Sequence, residues 1–338
     1  RKGIAYSMKK CIKTAAVLLL AVILTAAPDH IQEMAETAQT DVGSAVDESG
    51  EVYGTVLGDS IARGYSAEKN VRIECYGSIV IKRKAEDEDC LYEIRNYARD
   101  GLDTEQLNEE VLTRREVLQD LAKSDVILIS TGSNDLLNQC RSVIGRSLGG
   151  EEEFTDIGQA VKAVKERIRE NPLLVFRVAE ALAGWDCQAF EQEWIRMLDT
   201  VTGKKKDGAE IVVNNIYNPA EHMDLPDPVK RAAAGMIRDM NDIIENYARE
   251  YGYKAADLAA SDISEHVQSD GVHPDQTGQE KIAEIVYGCL QHERCRRTGG
   301  RRTARGTSTK DCHISNTERS QKIVTLLSIK IRFRRAQF

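Results

Sequence analysis

The sequence predicts an α/β fold in which a parallel sheet is covered by helices on both faces. Two observations carry this. Short apolar runs alternate with stretches of helical periodicity between residues 52 and 290. One run, Val126, Ile127, Leu128 and Ile129, is uninterrupted aliphatic sequence, as expected of a strand buried on both faces. The composition agrees: of 338 residues, 41% are hydrophobic and 30% charged, the balance of a soluble globular chain.

The elements follow in order. Lys9, Lys10 and Lys13 precede an apolar run over residues 15–24, and Thr25, Ala26 and Ala27 come after it. A basic start, a short apolar core and small residues make residues 1–34 an expected export signal. The run is short for a membrane span. Pro28 is a poor residue after a cut, so an uncleaved N-terminal anchor is the alternative. Secretion or an extracytoplasmic, membrane-attached location is therefore expected. Residues 35–51 are polar and acidic, and are expected to be a linker.

The first strand is expected over residues 52–57, ending at Gly58, with a helix from Ser60. A second strand covers residues 92–97. Asp103 or Thr104 then caps a helix whose stripe is Leu107, Val111, Val117, Leu118 and Leu121. After the third strand at residues 126–129 comes a long segment without strand signal. Residues 138–208 are expected to be a helical insertion, with Ile157, Val161, Val164 and Ile168 on one helix and Phe190, Trp194 and Leu198 on another. It either caps the site or packs flat on the sheet. The fourth strand covers residues 211–216. Asp227 and Pro228 suit the N-cap and first position of a helix. In that helix Val229, Ala233, Met236, Met240, Ile243 and Tyr247 recur at intervals of four and three. Residues 254–258 give a weaker fifth strand. The last helix follows Pro274, with Ile282, Ile285, Val286 and Leu290 on one face.

The formal net charge of −8 is unevenly placed. Residues 291–338 hold 13 Lys and Arg against 3 Asp and Glu, so the body before them is strongly acidic. An acidic body repels nucleic acid and anionic lipid, and no nucleic-acid partner is expected. The basic tail, with Arg294, Arg296, Arg297, Arg301, Arg302 and Arg305, lacks a clean amphipathic period and is expected to be disordered. None of the eight cysteines forms a C-x-x-C pair, which argues against a zinc cluster or redox dithiol. Cys75 and Cys90 flank a possible hairpin and are the pair to test for a disulfide, with buried free thiols as the alternative.

Parallel sheets place ligand sites beyond the carboxyl ends of their strands. The polar residues just past each strand are therefore the candidates. Ser60, in Gly58-Asp59-Ser60, sits at a strand-to-helix junction with its N–H at the positive end of a helix. As a bland alternative it is an N-cap. Gly101, ending Asn96 to Gly101, presents an N–H without a side chain in the way, or is a turn glycine. Asn134, in Gly132-Ser133-Asn134-Asp135, carries an amide able to donate to a developing negative charge, or caps the next helix. Asp270 precedes His273 by three residues, close enough to fix the tautomer of its ring. Singly, each block is weak.

Together and in this order the four blocks resemble the SGNH hydrolases, also called GDSL esterases and lipases, whose marker residues match Ser60, Gly101, Asn134 and His273. The resemblance spans residues 52–290. It implies a three-layer α/β/α fold with a flavodoxin-like parallel five-stranded sheet. It further implies a serine hydrolase of small carboxylic esters, lysolipid or acetylated carbohydrate. Ser60, Asp270 and His273 would form the catalytic triad, and Ser60, Gly101 and Asn134 the oxyanion hole. No metal or other cofactor is implied; His222 and His266 have no companions that complete a ligand set. Ser133 stands where the family pattern has glycine, which narrows the space beside the oxyanion site. Tyr217, after the fourth strand, is a candidate for the substrate pocket from its position. The rival reading keeps the fold as a non-catalytic binding module of the cell envelope, which would need neither the base nor its carboxylate.

Overall fold

The computed structural model describes residues 41–42, 50–148, 154 and 157–298. The expected export signal or anchor, most of the expected linker and the tail beyond residue 298 lie outside the described residues. The sheet and the candidate site belong to the unit Arg1–Arg294.

Five parallel strands form the sheet: β1 (Glu51–Gly58), β2 (Leu91–Asn96), β3 (Val126–Ser130), β4 (Glu210–Asn214) and β5 (Lys254–Ala256). Their spatial order is β2-β1-β3-β4-β5, the flavodoxin-like doubly wound order, with the switch point between β1 and β3. Gly54 pairs with Val126 and Gly58 with Ser130 across that switch. Two residues of the expected linker, Asp41–Val42, add an antiparallel edge to β2, so the sheet has six strands in all.

The alternation of side chains along β3 produces the three layers. Ile127 and Ile129 point to one face, where they join Leu57, Ile211, Val213, Trp194, Met197 and Met240. Val126 and Leu128 point to the other, with Val52, Val56, Tyr76, Ile81, Ile282 and Val286. All five residues of β3 are buried. Each such Leu or Ile contributes about 1.5–3 kcal/mol through removal from water. A strand apolar on both faces fits only a sheet with helices on both sides.

The second of those faces is covered by α2 (Tyr76–Glu88) and the final α11 (Gln276–Thr298). The first is covered by α4 (Arg115–Leu121), α5 (Ser133–Ser147), α8 (Gln188–Lys204) and α9 (Asp227–Asn246). The short α1 (Ser60–Arg63) follows β1, α3 (Thr104–Gln106) precedes α4, and α10 (Ala248–Tyr251) follows α9. Within the expected insertion, α6 (Ile157–Glu170) and α7 (Leu174–Ala183) precede α8. Trp194 and Leu198 of α8 are fully buried against the sheet. None of the described residues of 138–208 lines the cleft at Ser60. Among the described residues, no helix is long and apolar enough to cross a membrane.

Three local expectations change. The helix expected from Asp103 is two: after α3 comes a widened turn over Leu107–Val111, and helix resumes only at Arg115. Leu107, Val111, Val117 and Leu121 still reach one core, so the apolar stripe alone does not reveal the break. Asp227 is the first helical residue of α9 rather than its cap, and Pro226 precedes it in extended conformation. Cys75 and Cys90 flank a 13-residue helix, not a hairpin, and both are free. At 1.5 Å per residue that helix separates its ends by about 20 Å, far beyond disulfide reach.

Candidate active site

The site starts from a glycine that nothing can replace. Gly58 ends β1 at φ +138, and a Cβ there would lie 1.9 Å from the Ser130 carbonyl oxygen. Only glycine lets β1 press this close to β3 while the Asp59 N–H donates to that same oxygen at 3.0 Å. Asp59 then caps α1, its Oδ1 accepting from the Ile61 N–H at 2.9 Å. Asp59 thus takes the capping role considered for Ser60, whose hydroxyl is free for another partner. The carboxyl of Asp59 is fully buried, and its Oδ2 has no hydrogen-bond partner among the described residues. Burial pushes this carboxyl up to about 7 against the opposing effect of its backbone hydrogen bonds.

Ser60 is 6% exposed, and its Oγ lies 2.8 Å from Nε2 of His273. The imidazole arrives on a tight reversal of chain. Val267 bridges Pro274, the Gln268 N–H donates to the His273 carbonyl at 2.8 Å, and the Gly271 N–H donates to the Gln268 carbonyl at 2.9 Å. This turn brings Asp270 beside the ring, with Oδ2 2.7 Å from Nδ1. Oδ1 accepts from the N–H groups of Val272 and His273 at 2.9 and 3.0 Å. Partial burial works against the charged form of Asp270. The hydrogen bonds from the ring and the two N–H groups outweigh it and hold the carboxyl below its ordinary value. A carboxylate against Nδ1 keeps the proton there and leaves Nε2 as an acceptor for the serine hydroxyl.

Three further contacts hold the loop that carries His273. The ring of Tyr65 packs against the imidazole with centroids 4.4 Å apart. The hydroxyl of Tyr217 donates to the Val272 carbonyl. Gln268 joins the loop to the segment after α1: Oε1 accepts from the Ala67 N–H at 2.7 Å, and Nε2 donates to the carbonyls of Tyr65 at 2.8 Å and Pro274 at 2.9 Å. Gln268→Glu keeps the size but sets an oxygen against two carbonyls. An unmet buried polar group costs about 1–3 kcal/mol. We expect kcat to fall roughly tenfold at little-changed KM in a folded protein; an unchanged kcat would make the amide dispensable.

The opposite wall is built at the start of α5. Gly132, at φ +104, turns the chain from β3 into that helix; a Cβ there would press on Ile216 at 3.1 Å and on Phe190 at 3.3 Å. Ser133 and Asn134 follow. One N–H of the Asn134 amide donates to the Leu102 carbonyl at 2.9 Å, which fixes the side chain beside Gly101. Asp135 accepts from the N–H and hydroxyl of Thr104, at 2.9 and 3.0 Å, and ties the two loops together. Ser60, Gly101, Ser133, Asn134, Leu137 and His273 line one cleft of about 160 Å³, along with Ile61, Tyr65, Asp100 and Val272.

Of the residues singled out in the sequence, Ser60, Gly101, Asn134 and His273 share this cleft, and Asp270 stands behind the ring. Tyr217 does not line it. Its side chain is buried, only 4% exposed, and it supports the loop from behind; its place after β4 gave the rim but not the direction of the ring. Tyr65 and Gln268 carried no sequence signal of their own. His222 lies by Ser264 and His266 by Asp262. Among the described residues, no three His, Cys, Asp or Glu gather to hold a metal ion.

The layers and strand order match the fold of the SGNH-type α/β hydrolases. Among these the chain belongs to the GDSL-like lipase/acylhydrolase family, whose model it matches over residues 55–286, and it is a carboxylic ester hydrolase. Two solved structures are similar at low identity. The lipase Lip_vut3 from a goat rumen metagenome is 18% identical with a TM-score of 0.49, over 70% of this chain and 97% of that one. An extracellular lipase from Streptomyces rimosus is 15% identical with a TM-score of 0.47, over 70% and 99%. No curated protein matches the chain.

Proposed function

We propose that the chain hydrolyses esters of short acyl groups through an acyl-enzyme on Ser60, with His273 as base and Asp270 as its orienting carboxylate. The observation that carries this is the unbroken chain from Ser60 Oγ to His273 Nε2 at 2.8 Å and from Nδ1 to Asp270 at 2.7 Å. Ser60 Oγ attacks the ester carbonyl while Nε2 takes its proton. The carbonyl oxygen gains negative charge, which the N–H groups of Ser60 and Gly101 and the Asn134 amide would receive. A donor of this kind is worth about 3 kcal/mol in the transition state. The intermediate collapses, the C–O bond to the alcohol breaks, and the imidazolium returns its proton to the departing oxygen. Water then repeats the attack on the acyl-enzyme with the same base, releasing the acid and restoring Ser60.

The acyl half is short because the cleft is small. At about 160 Å³ it falls below the usual range for sites that enclose a drug-sized ligand. The pattern of residues 1–34 supports action outside the cytoplasmic membrane, with the segment either removed or kept as an anchor. A panel of chromogenic esters of increasing acyl length, run on wild type and Ser60→Ala, tests the reading. Turnover is expected to be highest for the shortest acyl groups and to depend on Ser60. Faster turnover of long chains would contradict the acyl assignment.

A further inference from the structure

A larger hollow adjoins the cleft and a second adjoins the first, and both are lined mostly by polar groups. The first, about 400 Å³, includes Tyr65 and Asp100, which also line the cleft, so the two spaces are neighbours. It runs on past Arg63, Ser66, Arg72 and Asn96. The second, about 430 Å³, shares Arg63, Arg72 and Asn96 with the first and extends to Lys82 and Glu74.

The charges along this groove do not cancel. Arg63 pairs with Asp100, and Lys82 pairs with Glu74 at 2.8 Å. Arg72 is exposed, and among the described residues it has neither a hydrogen-bond nor an ion-pair partner. An arginine presents a fork of donors that fits the paired oxygens of a carboxylate or phosphate. The acidic body opposes an approaching anion at long range. In physiological salt that field fades over about 8 Å, so the local guanidinium governs a group already seated.

Direction follows from the triad reading, on which this inference rests. The carbonyl oxygen lies toward Asn134 and Gly101, where it meets the donors. The alcohol half leaves on the side of the imidazole, and Tyr65, packed on that ring, opens into the groove. We propose that this groove seats the alcohol half of the substrate, a polar alcohol bearing an anionic group, carboxylate or phosphate, that pairs with Arg72. A short-acyl ester of a sugar acid or of a phosphorylated polyol has this chemistry.

The test compares kcat/KM of the full chain and of Arg72→Ala and Arg72→Glu on five acetate esters: 4-nitrophenyl acetate, acetylated glucose, acetylated glucuronic acid, acetylglycerol and acetylglycerol phosphate. A charge-assisted contact of this kind corresponds to about a tenfold preference. Wild type is expected to favour at least one anionic ester over its neutral counterpart by about that factor. Arg72→Ala should erase the preference through KM, and Arg72→Glu should reverse it. The sugar-acid and phosphate arms tell the two sources of charge apart. If Ser60-dependent turnover of 4-nitrophenyl acetate persists but Arg72→Ala leaves the anionic-to-neutral ratio as in wild type, the groove assignment fails alone. If no ester shows Ser60-dependent turnover, the triad reading fails and the groove assignment fails with it.

Discussion

Ser60→Ala is expected to lower kcat for a chromogenic acetate by roughly 10⁴-fold or more while leaving the protein folded. The substitution removes one oxygen and its 2.8 Å contact with His273 and nothing else. The cap of α1 is made by Asp59, and the Tyr65 N–H bonds to the Ser60 carbonyl, which alanine keeps. The cost to stability should be about 1 kcal/mol or less. Residual rate over water should remain, because Gly101, Asn134 and the Ser60 N–H are untouched. Activity by release of chromophore, with circular dichroism for the fold, separates the two effects. A variant that is folded and fully active would remove Ser60 from the chemistry.

Asp270→Asn is the more discriminating change. Asparagine keeps the shape, and its oxygen still accepts from the N–H groups of Val272 and His273. Its amide then faces Nδ1 with a donor where an acceptor stood. The ring responds by accepting at Nδ1 and holding its proton at Nε2, pointed at the serine it should deprotonate. In the proposed mechanism that tautomer costs about 10⁴-fold in kcat, with KM little altered. The variant also has a signature in stability. Asp270 is held below its ordinary value in the folded protein, so its charge contributes stability above the unfolded value and loses it as pH falls through the folded one. Thermal melts of Asp270→Asn should lack that acidic component, and a kcat equal to wild type would end its assigned role.

The strands were legible because burial on two faces leaves a plain trace. Val126, Ile127, Leu128 and Ile129 cannot sit at a surface, and the weaker Lys254-Ala255-Ala256 could still be placed by the alternation around it. The blocks at Ser60, Gly101, Asn134 and His273 were legible because each follows a strand or precedes the last helix. Other features follow from distances the sequence does not encode. Gln268 acts through bonds to residues some 200 positions away, Ala67 and Tyr65. Tyr217 sits where a rim residue should, yet turns inward to the Val272 carbonyl. The split between α3 and α4 hides because a widened turn keeps Leu107 and Val117 on one core. Asp59, a carboxyl in a buried position, is explained only once the cap on Ile61 is seen.

The most direct measurement is covalent labelling of the full chain by a phosphonate ester that imitates the tetrahedral intermediate, read by intact mass and peptide mapping. One adduct per chain is expected, on Ser60, absent in Ser60→Ala and strongly slowed in His273→Ala. A stable adduct on another residue, or ester turnover that survives in Ser60→Ala, would contradict it.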